Sequence, residues 1–233
     1  MKILIAIPTY NEENTVALVI NCVKQACGYD ILIYDDGSTD GTLKTVKSLK
    51  DIIIKRHKKR KGYGQTVRDI FNYAVKHNYD YLIKMDADLQ HETKYIKEFV
   101  KHMKKYDVVS GSRYHKRSPV ISGAPGEREK INKKITGIIN KITGYKITDS
   151  FCGFKAYKVK FLKKLELTEK GYGFPVEFWI QAYKNKFTLK EIPVSLIYIK
   201  DRRDFTGKIK NSDYRLNCYL KIIKKDKQIK RRS

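Results

Sequence analysis

The 233 residues include 50 Lys and Arg against 25 Asp and Glu, a formal charge of +25. That length suits one α/β domain with a full core rather than two ordinary domains, and the charge points to a polyanionic partner: nucleic acid, an anionic membrane surface or phosphorylated substrates. No apolar run approaches the ~20 residues of a membrane span, and Cys22, Cys27, Cys152 and Cys218 lack the spacings of a zinc site or a disulfide framework.

The cysteines therefore read as reduced, mostly buried thiols, and the N-terminus runs into a strand pattern without a signal-peptide n-region or cleavage site. The expectation is a cytoplasmic protein, free or peripheral on the inner face of the membrane. Ile3 to Ile7 is a continuous apolar run closed by Pro8, as in a strand buried on both faces. Val16, Val19, Ile20 and Val23 follow at helical spacing, and Asp30 to Tyr34 predicts a second strand. It ends in the turn cluster Asp35 to Thr42, where Ser38, Thr39 or Asp40 is available to cap a second helix.

Asp51 to Lys55 predicts a third strand. The basic segment Arg56 to Gly64 leads to a helix marked by Val67, Ile70, Phe71 and Ala74. Tyr81-Leu82-Ile83 is a fourth strand, and a fifth begins at Val108 near Gly111-Ser112-Arg113. This alternation implies a mostly parallel sheet with helices on both faces, whose ligands lie beyond the carboxyl ends of the strands. Pro119 to Glu127, with two Pro and two Gly, reads as a mobile loop before a helix carrying Ile131, Ile135, Ile138, Ile139 and Ile142. Residues 149–157 look less regular, Glu177 opens an aromatic helix, and a late strand within Leu189 to Ile199 is placed at an edge by Pro193.

The chemistry concentrates in Lys84-Met85-Asp86-Ala87-Asp88-Leu89-Gln90-His91. Carboxylates one residue apart at the end of a strand point the same way, because extended side chains alternate with a period of two. Asp86 and Asp88, with the Gln90 amide oxygen on the same parity, offer hard ligands for Mg²⁺ or Mn²⁺ and leave room for phosphate oxygens. The plain alternative is a solvated acidic loop.

Pro8-Thr9-Tyr10-Asn11-Glu12, Tyr34 to Thr42, Asp86 to His91, Gly111-Ser112-Arg113 and Cys152 to Tyr157 occur in one order that resembles the family 2 glycosyltransferases, of the dolichyl-phosphate mannosyltransferase type. The resemblance implies a glycosyltransferase A fold, the Rossmann-like fold of nucleotide-diphospho-sugar transferases. It implies that Pro8, Tyr10 and Glu12 border the nucleotide, with Asp36 on the base and Tyr34 beside it. Asp86, Ala87 and Asp88 meet the sugar nucleotide, with Asp86, Asp88 and Gln90 as metal ligands. Arg113 and Arg128 match basic residues around the phosphates, Arg113 serving donor and acceptor alike. Asn132 stands on the acceptor side, where family members often have Ser. Arg203 (or Arg202) and Lys210 match a late basic motif whose spacing is altered here.

The implied activity is metal-dependent, inverting transfer of a hexose to a polyprenyl or dolichyl phosphate, with mannose from GDP-mannose as the leading donor. A UDP-sugar, or a hydroxyl acceptor on a lipid or glycan, is the alternative. A phosphate monoester has a second pKa of about 6, so it is dianionic at neutral pH and needs no general base, whereas a hydroxyl does. Glu177 and Asp149 are candidates for such a base or, equally, for capping and ion pairing. A nucleic-acid-binding role rests on charge alone, without a recognised motif, and acidic strand ends oppose it, so no nucleic-acid partner is expected.

Residues 1–210 read as the catalytic domain and residues 211–233 as a basic amphipathic segment with Leu216, Tyr219, Leu220 and Ile223 on one face. Two readings stay open for that stripe. It lies in a headgroup layer while its lysines meet anionic lipid, at about 1 kcal/mol each, or it packs on the domain's own core. A membrane-anchoring partner subunit is a further candidate partner.

Overall fold

Every residue of β1 (Ile3–Thr9) is buried, and the alternation of its side chains explains the continuous apolar run. Ile3, Ile5 and Ile7 join one apolar cluster and Leu4 and Ala6 another, on opposite faces of the sheet. The computed structural model describes residues 1–199 and 207–227.

The chain continues through α1 (Val16–Ala26), β2 (Asp30–Asp35), α2 (Thr42–Lys47), β3 (Ile53–Arg56), α3 (Tyr63–Lys76) and β4 (Tyr81–Lys84). A 3₁₀ turn at Thr93–Tyr95 enters α4 (Ile96–Met103), then come β5 (Val108–Ser112), α5 (Gly126–Thr143), β6 (Lys155–Lys158), α6 (Val159–Leu162), α7 (Phe174–Lys184) and β7 (Leu189–Pro193). After a 3₁₀ turn at Gly207–Lys210, α8 spans Ser212–Lys227.

The seven strands form one sheet in the order β3-β2-β1-β4-β6-β5-β7. Every pairing is parallel except those of β6, which runs antiparallel between β4 and β5. The apolar residues of α1, α2 and α4 cover one face, and those of α3, α5, α6, α7 and α8 cover the other. The expected mostly parallel, two-faced sheet is present, with β7 at an edge.

Several local expectations change. The irregular stretch around Lys155-Ala156-Tyr157 is β6, with Ala156 facing one cluster and Tyr157 the other. Helix α7 opens at Phe174 with Pro175 in its first turn, not at Glu177. Gly41 takes the N-cap position of α2, and Asp40 acts from one residue earlier, its Oδ1 accepting the Thr42 N–H at 3.0 Å. Of the four free thiols only Cys152 is buried.

The segment expected to be a mobile loop is pinned instead. The Leu196 N–H donates to the Pro119 carbonyl at 2.8 Å and the Ile121 N–H to the Leu196 carbonyl at 3.0 Å, before α5 begins at Gly126. The stripe on α8 packs on the core: Tyr219 and Ile223 are buried in the α5–α7 cluster, with Leu216 and Leu220 against it. No helix of the described residues is long and apolar enough to cross a membrane.

Candidate active site

Strand β4 ends at Lys84, so Asp86 and Asp88 sit in the loop beyond it and the period-two argument for their shared direction does not apply. They nonetheless line one cavity of about 810 Å³, together with Gln90. Asp88 Oδ1 accepts the Gln90 N–H at 3.1 Å, a local bond that a left-handed Leu89 (φ 64°) accommodates. Burial and then the neighbouring Asp86 charge push the Asp88 carboxyl above its usual range.

The loop is fixed from below by a lysine that the sequence reading passed over. Lys84 is buried, with Nζ 2.8 Å from Tyr63 Oη and 2.9 Å from Asp86 Oδ1. Burial works to lower its pKa, but Asp86 and Tyr63 outweigh that and raise it, so the ammonium stays charged. Gly153 flanks the other side: a Cβ there would stand 2.0 Å from Asp86 Oδ2, so only glycine lets the carboxylate settle. Two carboxylates lining one cavity are ligands of the type a hard divalent cation takes. The described residues contain no cluster of three or more His, Cys, Asp or Glu that could hold a metal by itself.

Arg113 reaches the cavity from the end of β5, and its guanidinium is set by Asp149. Nε lies 2.7 Å from Asp149 Oδ2 and one Nη lies 3.0 Å from Oδ1, a bidentate pair around a fully buried carboxylate. Asp149 also accepts from Asn132 Nδ2 at 2.7 Å and from the Phe151 and Cys152 N–H groups at 3.0 Å. Burial acts to raise its pKa, but Arg113 and these donors win and hold it well below the carboxylate range. Asp149 therefore pairs ions and is unfit as a base. Glu177 is likewise committed, accepting from the Thr168 N–H at 2.8 Å, the Thr168 hydroxyl at 2.7 Å and the Glu169 N–H at 2.8 Å.

These contacts give a testable stability profile. Removing Asp149 leaves the mostly covered Arg113 guanidinium, whose side chain is 20% exposed, uncompensated, at a cost toward the lower end of about 3–5 kcal/mol. Asp149→Ala is expected to lower the urea midpoint strongly at neutral pH. Because the folded carboxyl is held below its unfolded value, its contribution is present above pH ~4 and lost as pH falls below that. Midpoints of wild type and variant should therefore converge toward pH ~2; a constant gap would refute the pairing.

Asp36, expected on the nucleotide base, lines the cavity, yet its carboxylate is used by the basic loop after β3. Oδ1 accepts the Lys61 N–H at 2.8 Å and lies 2.8 Å from His57 Nδ1, and Oδ2 accepts the Gly62 N–H at 2.9 Å. Gly37, at φ 74°, passes so close that a Cβ would meet Arg60 N at 2.8 Å. The loop brings the Arg60 guanidinium to 4.1 Å from the centre of the Tyr10 ring, and both residues line the cavity beside Pro8.

Arg128, Asn132 and Lys210 also line the cavity, Arg128 lying 5.2 Å over the Tyr198 ring. Asn132, expected on the acceptor, spends its amide on Asp149 and, through Oδ1, on the Thr136 hydroxyl at 2.8 Å. Glu12, Tyr34 and Ala87 stand behind the wall: Glu12 Oε2 accepts the Thr15 hydroxyl, Tyr34 packs on His57 and Ala87 is buried. Arg202 and Arg203 lie outside the described residues. Sequence reasoning missed Arg60, Tyr63 and Arg215, all in the cavity wall. The basic run Arg56 to Gly64 signalled the first, whereas Arg215, paired with Glu127, carried no local mark.

Residues 4–166 match the family model described as glycosyl transferase family 2. The chain is 29% identical over 204 residues to a polyprenol monophosphomannose synthase of Mycolicibacterium smegmatis, covering 83% of this chain and 77% of the relative. It is 31% identical over 218 residues to a UDP-N-acetylglucosamine--dolichyl-phosphate N-acetylglucosaminyltransferase of Methanococcus voltae, covering 84% and 86% respectively. A glucosyl-3-phosphoglycerate synthase from Mycobacterium tuberculosis, solved with Mn²⁺, UDP and phosphoglyceric acid, shares the fold at TM-score 0.74 and 14% identity, over 98% of this chain and 79% of that one.

Proposed function

The chain belongs to glycosyl transferase family 2, and from that premise we propose that it transfers a hexose from a nucleoside-diphosphate sugar to the phosphate of a polyprenyl (dolichyl) phosphate, with inversion. One observation carries this reading: a single cavity joins the Asp86 and Asp88 carboxylates, the guanidiniums of Arg113 and Arg128 among its four arginines, and an apolar wall that includes Ile131, Phe151, Leu196 and Tyr219. The carboxylates suit a diphosphate through a cation, the guanidiniums suit phosphate, and the wall suits a prenyl chain.

In this reading an oxygen of the acceptor phosphate bonds to the anomeric carbon as the carbon–oxygen bond to the diphosphate breaks, and the electron pair leaves with the nucleoside diphosphate. No proton moves, because the acceptor arrives as a dianion. That agrees with the commitment of Asp149 and Glu177 to structural hydrogen bonds. Asp86, Asp88 and Gln90 would hold a Mg²⁺ or Mn²⁺ ion, which when bound supplies charge neutralisation for the diphosphate. Arg113 and Arg128 orient the acceptor phosphate and offset its repulsion from the donor. Tyr10, Arg60 and the loop clamped by Asp36 bear on the base, and Lys210 on the diphosphate.

Mannose from GDP-mannose is the leading donor, in keeping with the relative named for polyprenol monophosphomannose. A UDP-sugar is the second reading, favoured by the N-acetylglucosaminyl relative and the UDP-bound neighbour. Incubating the chain with GDP- and UDP-sugars, Mn²⁺ or Mg²⁺ and a short polyprenyl phosphate, and weighing the lipid product, tests both. A glycosyl phosphodiester with one donor supports the proposal, and none with any donor rejects it.

The role of Asp36 yields a separate expectation. Because base contact is largely uniform binding, Asp36→Ala should raise the donor KM about tenfold with a smaller effect on kcat. A collapse of kcat at unchanged KM in steady-state assays would remove the Asp36 loop from the donor site.

A further inference from the structure

Five large hydrophobic side chains are exposed among the described residues, and only Val120 and Ile121, at 68% and 64%, are neighbours in the chain. Isolated exposed apolar residues need no explanation, but an adjacent pair held outward does. The backbone holds it there. Val120 bridges Leu196, the Ile121 and Ser122 N–H groups both donate to the Leu196 carbonyl, and Ser122 Oγ donates to the Tyr198 carbonyl at 2.7 Å while accepting the Tyr198 N–H at 2.7 Å. These bonds tie the tip to the segment around Leu196, with the Val120 and Ile121 side chains outward.

The surroundings of the pair identify its partner. The stretch from Tyr114 to Gly126 contains Lys116 and Arg117, both exposed, and no Asp or Glu. The nearest downstream carboxylates are already paired, Glu127 with Arg215 and Glu129 with Lys133. An apolar tip beside cations that have no carboxylate partner among the described residues matches the layering of an anionic bilayer, with hydrocarbon within reach and phosphate above it. The same element forms the cavity wall: Ala124 lines it from this loop, and Leu196 and Tyr198 line it from the segment to which the loop is pinned.

We propose that the Val120–Ile121 tip, with Lys116 and Arg117, is a membrane-docking surface that seats the cavity against an anionic phospholipid layer. The docking itself stands on the exposed pair and its charges, and only its purpose, delivery of a lipid-borne phosphate, rests on the function proposed above. The anchor is distinct from α8, whose apolar stripe is spent on the core.

Co-sedimentation of the full chain with phosphatidylcholine vesicles, with and without phosphatidylglycerol, tests it. Wild type should bind the phosphatidylglycerol vesicles more strongly. Val120→Ser/Ile121→Ser should lose about tenfold or more of that partition, given the apolar area withdrawn. Lys116→Glu/Arg117→Glu, which leaves the tip intact, should lose the preference for phosphatidylglycerol. Both variants should melt as wild type does and glycosylate a short, water-soluble polyprenyl phosphate at its rate. Partition unchanged in both variants overturns the proposal. So does a wild-type dimer in sedimentation velocity that Val120→Ser/Ile121→Ser dissociates without any vesicle binding, since the tip would then face a second copy. Vesicle binding depends on no glycosyl acceptor, so failure of the assigned reaction leaves this test readable.

Discussion

Asp88→Ala should lose at least ~10³-fold in kcat at saturating Mn²⁺, the scale expected when charge stabilisation of a leaving diphosphate is removed. Its effect on the fold should have the opposite sign. Burial and Asp86 together push the Asp88 carboxyl up, so carrying its charge beside Asp86 in the metal-free protein costs stability. A group whose folded pKa is raised favours folding below its unfolded value and loses that contribution as pH rises through the folded one. Deleting one carboxylate relieves the repulsion, and the metal-free variant should melt at or above the wild-type temperature near pH 7. Added Mn²⁺ should raise the melting temperature of wild type and leave that of the variant alone. Turnover within about tenfold of wild type would dismantle the assignment.

Arg128→Lys should weaken transfer to polyprenyl phosphate by about 10–100-fold while leaving slow hydrolysis of the same sugar nucleotide by water within about twofold. An acceptor dianion must approach an anionic donor, and fixed positive charge in a partly dry cavity offsets that repulsion. Lysine keeps the charge and loses the planar fork. Arg128 separates the two reactions better than Arg113, whose replacement would also strand the buried Asp149 carboxylate. Equal losses in transfer and hydrolysis would move Arg128 to the donor side, and no loss in either would leave it a mere wall residue.

The elements whose periodicity is driven by burial were readable in the sequence. Ile3 to Ile7 and Ile31 to Ile33 are apolar without interruption because both faces of the central strands are covered. Strand β6 escaped because it begins with a lysine, and a lysine reads as surface. Lys155 is buried, with its ammonium on the Cys152 carbonyl and 5.3 Å from the Trp179 ring. Burial lowers its pKa, because the charged form is taken out of water there.

The site shows the same division. Residue type announced Asp86 and Asp88, and the family resemblance Arg113, but their geometry depends on partners no local pattern could supply. Lys84 from below, Gly153 alongside and Asp149, 36 positions from Arg113, are joined to them only by the fold. Asp36 lines the cavity, and what the sequence did not reveal is that its oxygens build the loop that carries Arg60. For α8, an amphipathic stripe looks the same whether it meets lipid or protein. Contact with α5 and α7 settled which.

The central claim is that a phosphate, not a hydroxyl, attacks the sugar. The direct measurement is a competition between a short polyprenyl phosphate and the free polyprenol of the same chain, offered together with the preferred nucleotide sugar and Mn²⁺ across neutral pH, with both lipid products weighed. The account predicts glycosyl phosphate lipid alone, at a rate that falls below pH ~6 as the acceptor becomes a monoanion. Glycosylated alcohol formed at a comparable rate would contradict it.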